Sequence, residues 1–148
     1  MTQIRRILFA SDFSKASAKA FATTGTLAKG HRADVTILHV FTPFVPTAPE
    51  QYLAAEALDR LNLETRRWSQ RQLAKLTDKA RTSGIRAAGL ILEGDPAQQI
   101  VRTAKSKRAD LIVVGTHGRT GLNKLFLGSV AQRVVATAPC PVVIVRGK

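Results

Sequence analysis

Residues 109–129 read Ala-Asp-Leu-Ile-Val-Val-Gly-Thr-His-Gly-Arg-Thr-Gly-Leu-Asn-Lys-Leu-Phe-Leu-Gly-Ser. The unbroken apolar run Leu111 to Val114 marks a strand covered on both faces. Gly115, Gly118, Gly121 and Gly128 then fall within fourteen residues. Ser129 opens a helical pattern carrying Val130, Val134, Val135 and Ala138, which Pro139 and Pro141 end. Strand, glycine loop and helix start in succession make a ready phosphate site. Glycine lets loop amides approach a ligand closely, and a helix N-terminus offers unpaired N–H groups and a positive dipole end. His117, Arg119 and Lys124 add donors and positive charge. The bland alternative is a plain surface loop.

Outward from that stretch, the chain alternates two periodicities. Ile4 to Ala10, Val35 to Val40, Ile85 to Leu92 and Val142 to Val145 are short apolar or β-branched runs that read as strands. Residues 15–29 have helical spacing with Gly30 as a stop, and the proline-bearing stretch Thr42 to Pro49 is a connection. No glycine or proline interrupts Glu50 to Thr82. Its stripe of Ala54, Leu58, Leu61, Thr65, Trp68, Gln72, Leu76 and Ala80 predicts a long helix packed on that face. Asp95-Pro96 is an N-cap followed by proline at the first helical position, with Ala97, Ile100, Val101 and Ala104 facing inward. Strict strand–helix alternation argues an α/β three-layer sandwich, a five-stranded parallel sheet between helices. The orders 2-1-3-4-5 and 3-2-1-4-5 both satisfy it. In either, ligands bind beyond the carboxyl ends of the strands, where the order reverses.

The 148 residues suit one domain, 1–148. With 45% hydrophobic and 22% charged residues, the composition excludes a disordered chain, a collagen repeat and a disulfide scaffold. The lone Cys140, between two prolines, reads as an inert thiol. No apolar run approaches the ~18–20 residues of a membrane span. A cytoplasmic protein is the expectation. The net charge of +13 is spread along the chain, so it belongs to the folded surface. Solubility is its bland reading, and attraction of polyanions its functional one. Arg67, Arg71, Lys75 and Lys79, at four-residue steps, read as a solvated helix face. His31, His39 and His117 fall in three elements without metal-ligand spacing, and Ser129 has no His/Asp partners for nucleophilic catalysis. We therefore expect no metal site and no catalytic residues.

Neither G-x-G-x-x-G after the first strand nor G-x-x-x-x-G-K-[ST] is present. Gly115-x2-Gly118-x9-Gly128-Ser129 instead resembles the ATP-binding signature G-x2-G-x9-G-[ST] of the universal stress protein family. The likeness extends to residues 7–14, Leu38-His39-Val40, Gly94 to Ala97, Ala109 to Gly115 and Ala138 to Val142, six segments in order across the chain. The resemblance implies strand order 3-2-1-4-5 in a Rossmann-like fold. It also implies a site in which Asp12 bonds the ribose and the backbone of Val40 meets adenine. Ala10, where many members carry proline, shapes the wall against the base. Gly115, Gly118, Gly128, Ser129 and Val130 would cradle the phosphates with Arg119 beside them. The expected ligand is ATP, ADP or AMP, with or without Mg2+. The expected role is a stress-response regulator with slow or absent hydrolysis that acts through an unidentified partner. The alternative is an interaction module whose basic surface takes nucleic acid or an acidic protein. A homodimer through Val142–Val145 is expected, because a bare β-branched edge strand invites pairing.

Overall fold

In the computed structural model, which describes residues 3–45, 55–116 and 127–147, strands and helices alternate throughout. They are β1 (Arg6–Ala10), α1 (Lys15–His31), β2 (Asp34–Phe41), α2 (Ala55–Thr82) and β3 (Ala87–Glu93). There follow α3 (Pro96–Ser106), β4 (Leu111–Gly115), α4 (Ser129–Thr137) and β5 (Val142–Val145). All strands pair in parallel, in the order β3-β2-β1-β4-β5. This selects 3-2-1-4-5 over 2-1-3-4-5.

The central strands show why their sequences are apolar without alternation. Ile7 and Phe9 of β1, Val35 and Ile37 of β2, and Leu111 and Val113 of β4 face α1 and α2. Leu8, Leu38, Ile112 and Val114 face α3 and α4. Phe9, Ile37, Leu38, Ile112 and Val113 are completely buried. Burial of one such side chain stabilises by about 1.5–3 kcal/mol, so both periods of each strand must be apolar. Gly89 of β3 lets α2 rest against the sheet: a Cβ there would lie 2.7 Å from Thr77 Oγ1 and 3.1 Å from Leu73 Cγ.

Several local expectations need correction. The β1 ladder begins at Arg6, with Ile4 and Arg5 outside it, and the β3 ladder at Ala87, with Ile85 and Arg86 outside it. α1 runs through Gly30 to His31, and Arg32 takes the left-handed turn at φ 54° while Ala33 N–H closes onto Ala28 O at 2.9 Å. Helical glycine costs only about 1 kcal/mol against alanine, and burying Ala33 at the entry to β2 outweighs it. The buried stripe of α2 is Ser69, Leu73, Thr77 and Ala80, whereas Leu61 and Trp68 lie toward solvent. Periodicity misses it because two of its members are hydroxylic; Thr77 Oγ1 satisfies itself on Leu73 O at 2.8 Å. In α4 the inner residues are Ala131 and Val134, while Val135 is half exposed. The residues 46–54 and 117–126, which hold part of the proline-bearing connection and most of the glycine loop, lie outside the described residues.

Candidate functional site

β1 and β4 are neighbours whose following helices, α1 and α4, lie on opposite faces of the sheet. Their carboxyl ends therefore part and leave a crevice, as expected where strand order reverses. A cavity of about 330 Å³ occupies it. Of the predicted site residues, Ala10, Asp12, Val40, Gly115, Gly128, Ser129 and Val130 line its wall. Gly118 and Arg119 lie outside the described residues.

The wall divides by chemistry. Ala10, Leu38, Val40, Ile100 and Val114 are apolar members of the lining, and Asp12, Ser14, Thr116 and Ser129 are polar ones. The β1–β2 register stops at Ala10↔Leu38, with Ser11 N–H reaching Leu38 O at 2.9 Å. Val40 thus lies past the last β1 partner, where the sheet opens onto the cavity.

Asp12 is held by the turn that joins β1 to α1. Ser14 N–H donates to Asp12 Oδ1 at 2.9 Å, and Ser14 Oγ in turn caps α1 by accepting from Ser17 N–H at 3.2 Å. Between them Phe13 adopts φ 63°, a left-handed conformation that costs an L-residue roughly 1–2 kcal/mol. Its ring stacks on His39 at 4.4 Å and meets Trp68 edge-on at 5.5 Å, and aromatic contacts of this kind offset strain of that size. His39 Nδ1 bonds Ser11 O at 2.8 Å. Beneath, Ser11 Oγ and Ser17 Oγ share a buried hydrogen bond of 2.7 Å.

Gly128 N–H donates to Thr116 O at 2.6 Å, joining the described ends on either side of the glycine loop. α1 and α3 have side-chain N-caps, Ser14 and Asp95, but Gly128 provides none for α4. The first turn of α4, which lines the cavity, thus starts without a side-chain acceptor at the cap. Such a start, with its dipole, favours an anion. Just before Pro96 of the wall, Asp95 accepts Gln98 N–H and both terminal nitrogens of Arg133 at 2.9 Å, tying α3 to α4. The Arg133 guanidinium and the Gln98 amide hold its carboxyl below the usual range. Both partners are well exposed, so the pair orients the helices more than it stabilises them.

Reasoning from sequence missed Ser11, Ser14, Ser17 and Thr116, which supply most of the neutral polar lining. The recurrence of serine at every third position from Ser11 to Ser17 was the available signal. Leu38, Ile100 and Val114 carried no signal that separates a cavity wall from core. Asp12 is the one carboxylate on the wall among the described residues, and no group of three metal-ligating side chains occurs among them. Cys140 is half-buried against the α3/α4 layer. Burial, then the charge of Asp110, pushes its thiol pKa upward.

The model of the universal stress protein family matches residues 3–146. Universal stress protein YxiE of Bacillus subtilis is 36% identical over 145 residues, covering 95% of this chain and 98% of the relative. The structure of universal stress protein UspA from Lactobacillus plantarum superposes with a TM-score of 0.86 at 26% identity, covering 99% of this chain and 100% of that one. The same fold occurs in a universal stress protein in complex with cAMP (TM-score 0.69, 22% identity, covering 99% and 100%). It occurs also in one from Archaeoglobus fulgidus in complex with dAMP (TM-score 0.64, 21% identity, covering 97% and 99%).

Proposed function

The chain belongs to the universal stress protein family, and from that premise we propose that its cavity binds an adenine nucleotide, ATP or its ADP and AMP forms. The observation that carries this reading is the α4 start, which has no side-chain cap and whose Gly128, Ser129 and Val130 lie on the wall of a cavity lined by both apolar and polar residues. That mixed lining suits a nucleotide. Adenine would rest among Ala10, Val40 and Ile100, with the Val40 backbone at its edge. Asp12, already fixed by Ser14 N–H, would accept from the ribose hydroxyls. The amides of Ser129 and Val130, together with Gly115 and Gly128, would receive the phosphates, and Gly118 and Arg119 complete the proposed cradle. Family neighbours held with cAMP and dAMP support an adenine ligand.

Mg2+ accompanying ATP would be held chiefly by the phosphates, since a magnesium site built on substrate phosphates needs only one or two carboxylates. The role is regulatory, in the stress response: bound nucleotide sets the state that a partner reads, and hydrolysis is slow or absent. Phosphoryl transfer needs a residue to orient the attacking water. Asp12, engaged in a turn at the ribose end, is not placed for that. In the same reading two copies pair through β5, the sheet edge, whose four residues are all half-buried in the single chain.

The test is direct. Purified protein is denatured and its supernatant chromatographed for adenine nucleotide, and calorimetry follows ATP, ADP and AMP on wild type and Asp12→Ala. A ribose contact predicts similar loss for all three ligands, about 1.5–3 kcal/mol for a bond to a charged group. No nucleotide binding by the wild type refutes the site, and a loss confined to ATP with magnesium refutes the ribose role.

A further inference from the structure

The end of the sheet away from the cavity gathers the chain's positive charge. Every strand starts there, and all four helices end there. α1 contributes Lys29 and Arg32, α2 contributes Arg81, and α3 contributes Lys105 with the following Lys107 and Arg108. The strand entries add Arg5, Arg6 and Arg86. All nine are exposed. They face two carboxylates at the strand starts, Asp34 and Asp110, each already ion-paired, to Arg86 and Arg6 respectively. This one end therefore holds a surplus of seven out of the net charge of +13.

A cation in the last helical turn complements the helix dipole, and Lys29, Arg81 and Lys105 meet that need. Arg32 and Arg108 require another explanation. α1, α2 and α3 end alike, with a left-handed residue followed by a closing bond. Ala33 N–H reaches Ala28 O at 2.9 Å, Ile85 N–H reaches Ala80 O at 3.1 Å, and Ala109 N–H reaches Ala104 O at 2.9 Å. Glycine is the ordinary occupant of that left-handed position because it has no Cβ to clash. α2 uses it, Gly84 at φ 91°. α1 and α3 place arginine there instead, at φ 54° and 52°. Two separate helix ends on one face thus accept an unfavourable backbone conformation and gain a guanidinium.

From this we infer that the face is a docking surface for the phosphate backbone of a nucleic acid duplex. Six of the nine cations are arginine, whose planar fork matches phosphate bidentately. Five strands span about 19 Å, over which a duplex presents about eleven phosphates, a scale that seven surplus charges suit. Among the described residues the face has no exposed aromatic platform of the kind single strands stack upon, since Phe44 and Trp68 lie toward the other end. Nor do the described residues give it the apolar side chains that would enter a membrane: of their exposed large hydrophobics, Phe44, Val45, Leu61, Leu63 and Trp68 are remote, and Val135 alone comes within a turn of it. The cavity lies across the sheet, so the two sites do not overlap.

The experiment is a fluorescence-anisotropy salt titration of a labelled mixed-sequence duplex of about 25 base pairs. It compares wild type, Arg32→Gly with Arg108→Gly, and Arg67→Gln with Arg71→Gln. Both double variants carry the same net charge. The glycine pair suits its backbone and keeps the fold, which circular dichroism verifies; the glutamine pair removes charge from the exposed side of α2. We expect the glycine pair to lower duplex affinity about tenfold or more and to flatten the slope of log K against log salt by about 1.8, two phosphate contacts' worth. The glutamine pair should change affinity less than about threefold, the scale of a diffuse charge effect. Saturating ATP should leave the wild-type affinity unchanged. Absence of duplex binding by the wild type, equal loss in the two double variants, or displacement by ATP overturns the proposal. Displacement by polyglutamate at a charge concentration equal to the duplex's points to an acidic protein partner and overturns it equally.

Discussion

Gly128→Asp should make the protein more stable and a worse nucleotide binder at once. The α4 start has no side-chain acceptor at its cap, and Gly128 sits at φ −60°, ψ 154°, an extended conformation that aspartate adopts readily. An aspartate oxygen there would accept an N–H of the first turn. Relative to glycine that is worth a few tenths of a kcal/mol, and a carboxylate beside the positive dipole end adds about 0.3–1 kcal/mol at an exposed site. The expected gain is therefore up to about 1 kcal/mol in urea unfolding above the carboxylate pKa. The same carboxylate takes the place proposed for phosphate. Loss of one charge-assisted bond costs about 1.5–3 kcal/mol, or about 10- to 150-fold in Kd, and like-charge repulsion adds to it. Calorimetry with ATP and urea titrations on the same preparation read both effects. Gly128→Ser, which caps without charge, should keep part of the stability and lose less affinity. A folded Gly128→Asp that binds ATP as the wild type does would show that phosphates do not sit on α4, and the proposed cradle would fall with it.

Two further outcomes are expected. Sedimentation of wild type should give a dimer at micromolar protein and physiological salt, weaker at low salt because exposed charges repel over ~8–10 Å or more; Val143→Pro with Ile144→Lys in β5 should be monomeric, and a dimer indifferent to them refutes the edge pairing. Asp110 Oδ2 accepts Arg5 N–H and Arg6 N–H, each at 2.9 Å, and these bonds, with the Arg6 guanidinium, hold its pKa below the usual value. A depressed carboxyl stabilises above the unfolded pKa of about 3.9 and loses that contribution as pH falls through the lower folded value. Asp110→Asn should therefore cost about 1 kcal/mol near neutrality, with the gap to wild type narrowing in urea titrations below about pH 4; a gap independent of pH refutes the assignment.

What the sequence determined by itself is what repeats locally. Unbroken apolar runs such as Leu111–Val114 exist because both faces of a central strand are covered, so they announce a sandwiched parallel sheet. The Asp95-Pro96 cap announces the start of α3, because capping is satisfied within four residues. Glycine spacing pointed to the α4 start for the same local reason. Strand order was not local: alternation left two orders open, and only the ladders β1–β2 and β1–β4 chose between them. The cavity's apolar wall was illegible because Leu38 and Ile100 are as buried as the core residues around them, and only the parting of β1 and β4 puts them beside a cavity. The inner face of α2 escaped because Ser69 and Thr77 are buried by the tertiary fold, Thr77 against Gly89 of β3, not by their own hydrophobicity. The clustered charge of the opposite end was invisible for a related reason. Cations spread evenly along 148 residues become one surface only when a parallel sheet brings every strand start and every helix end to the same side.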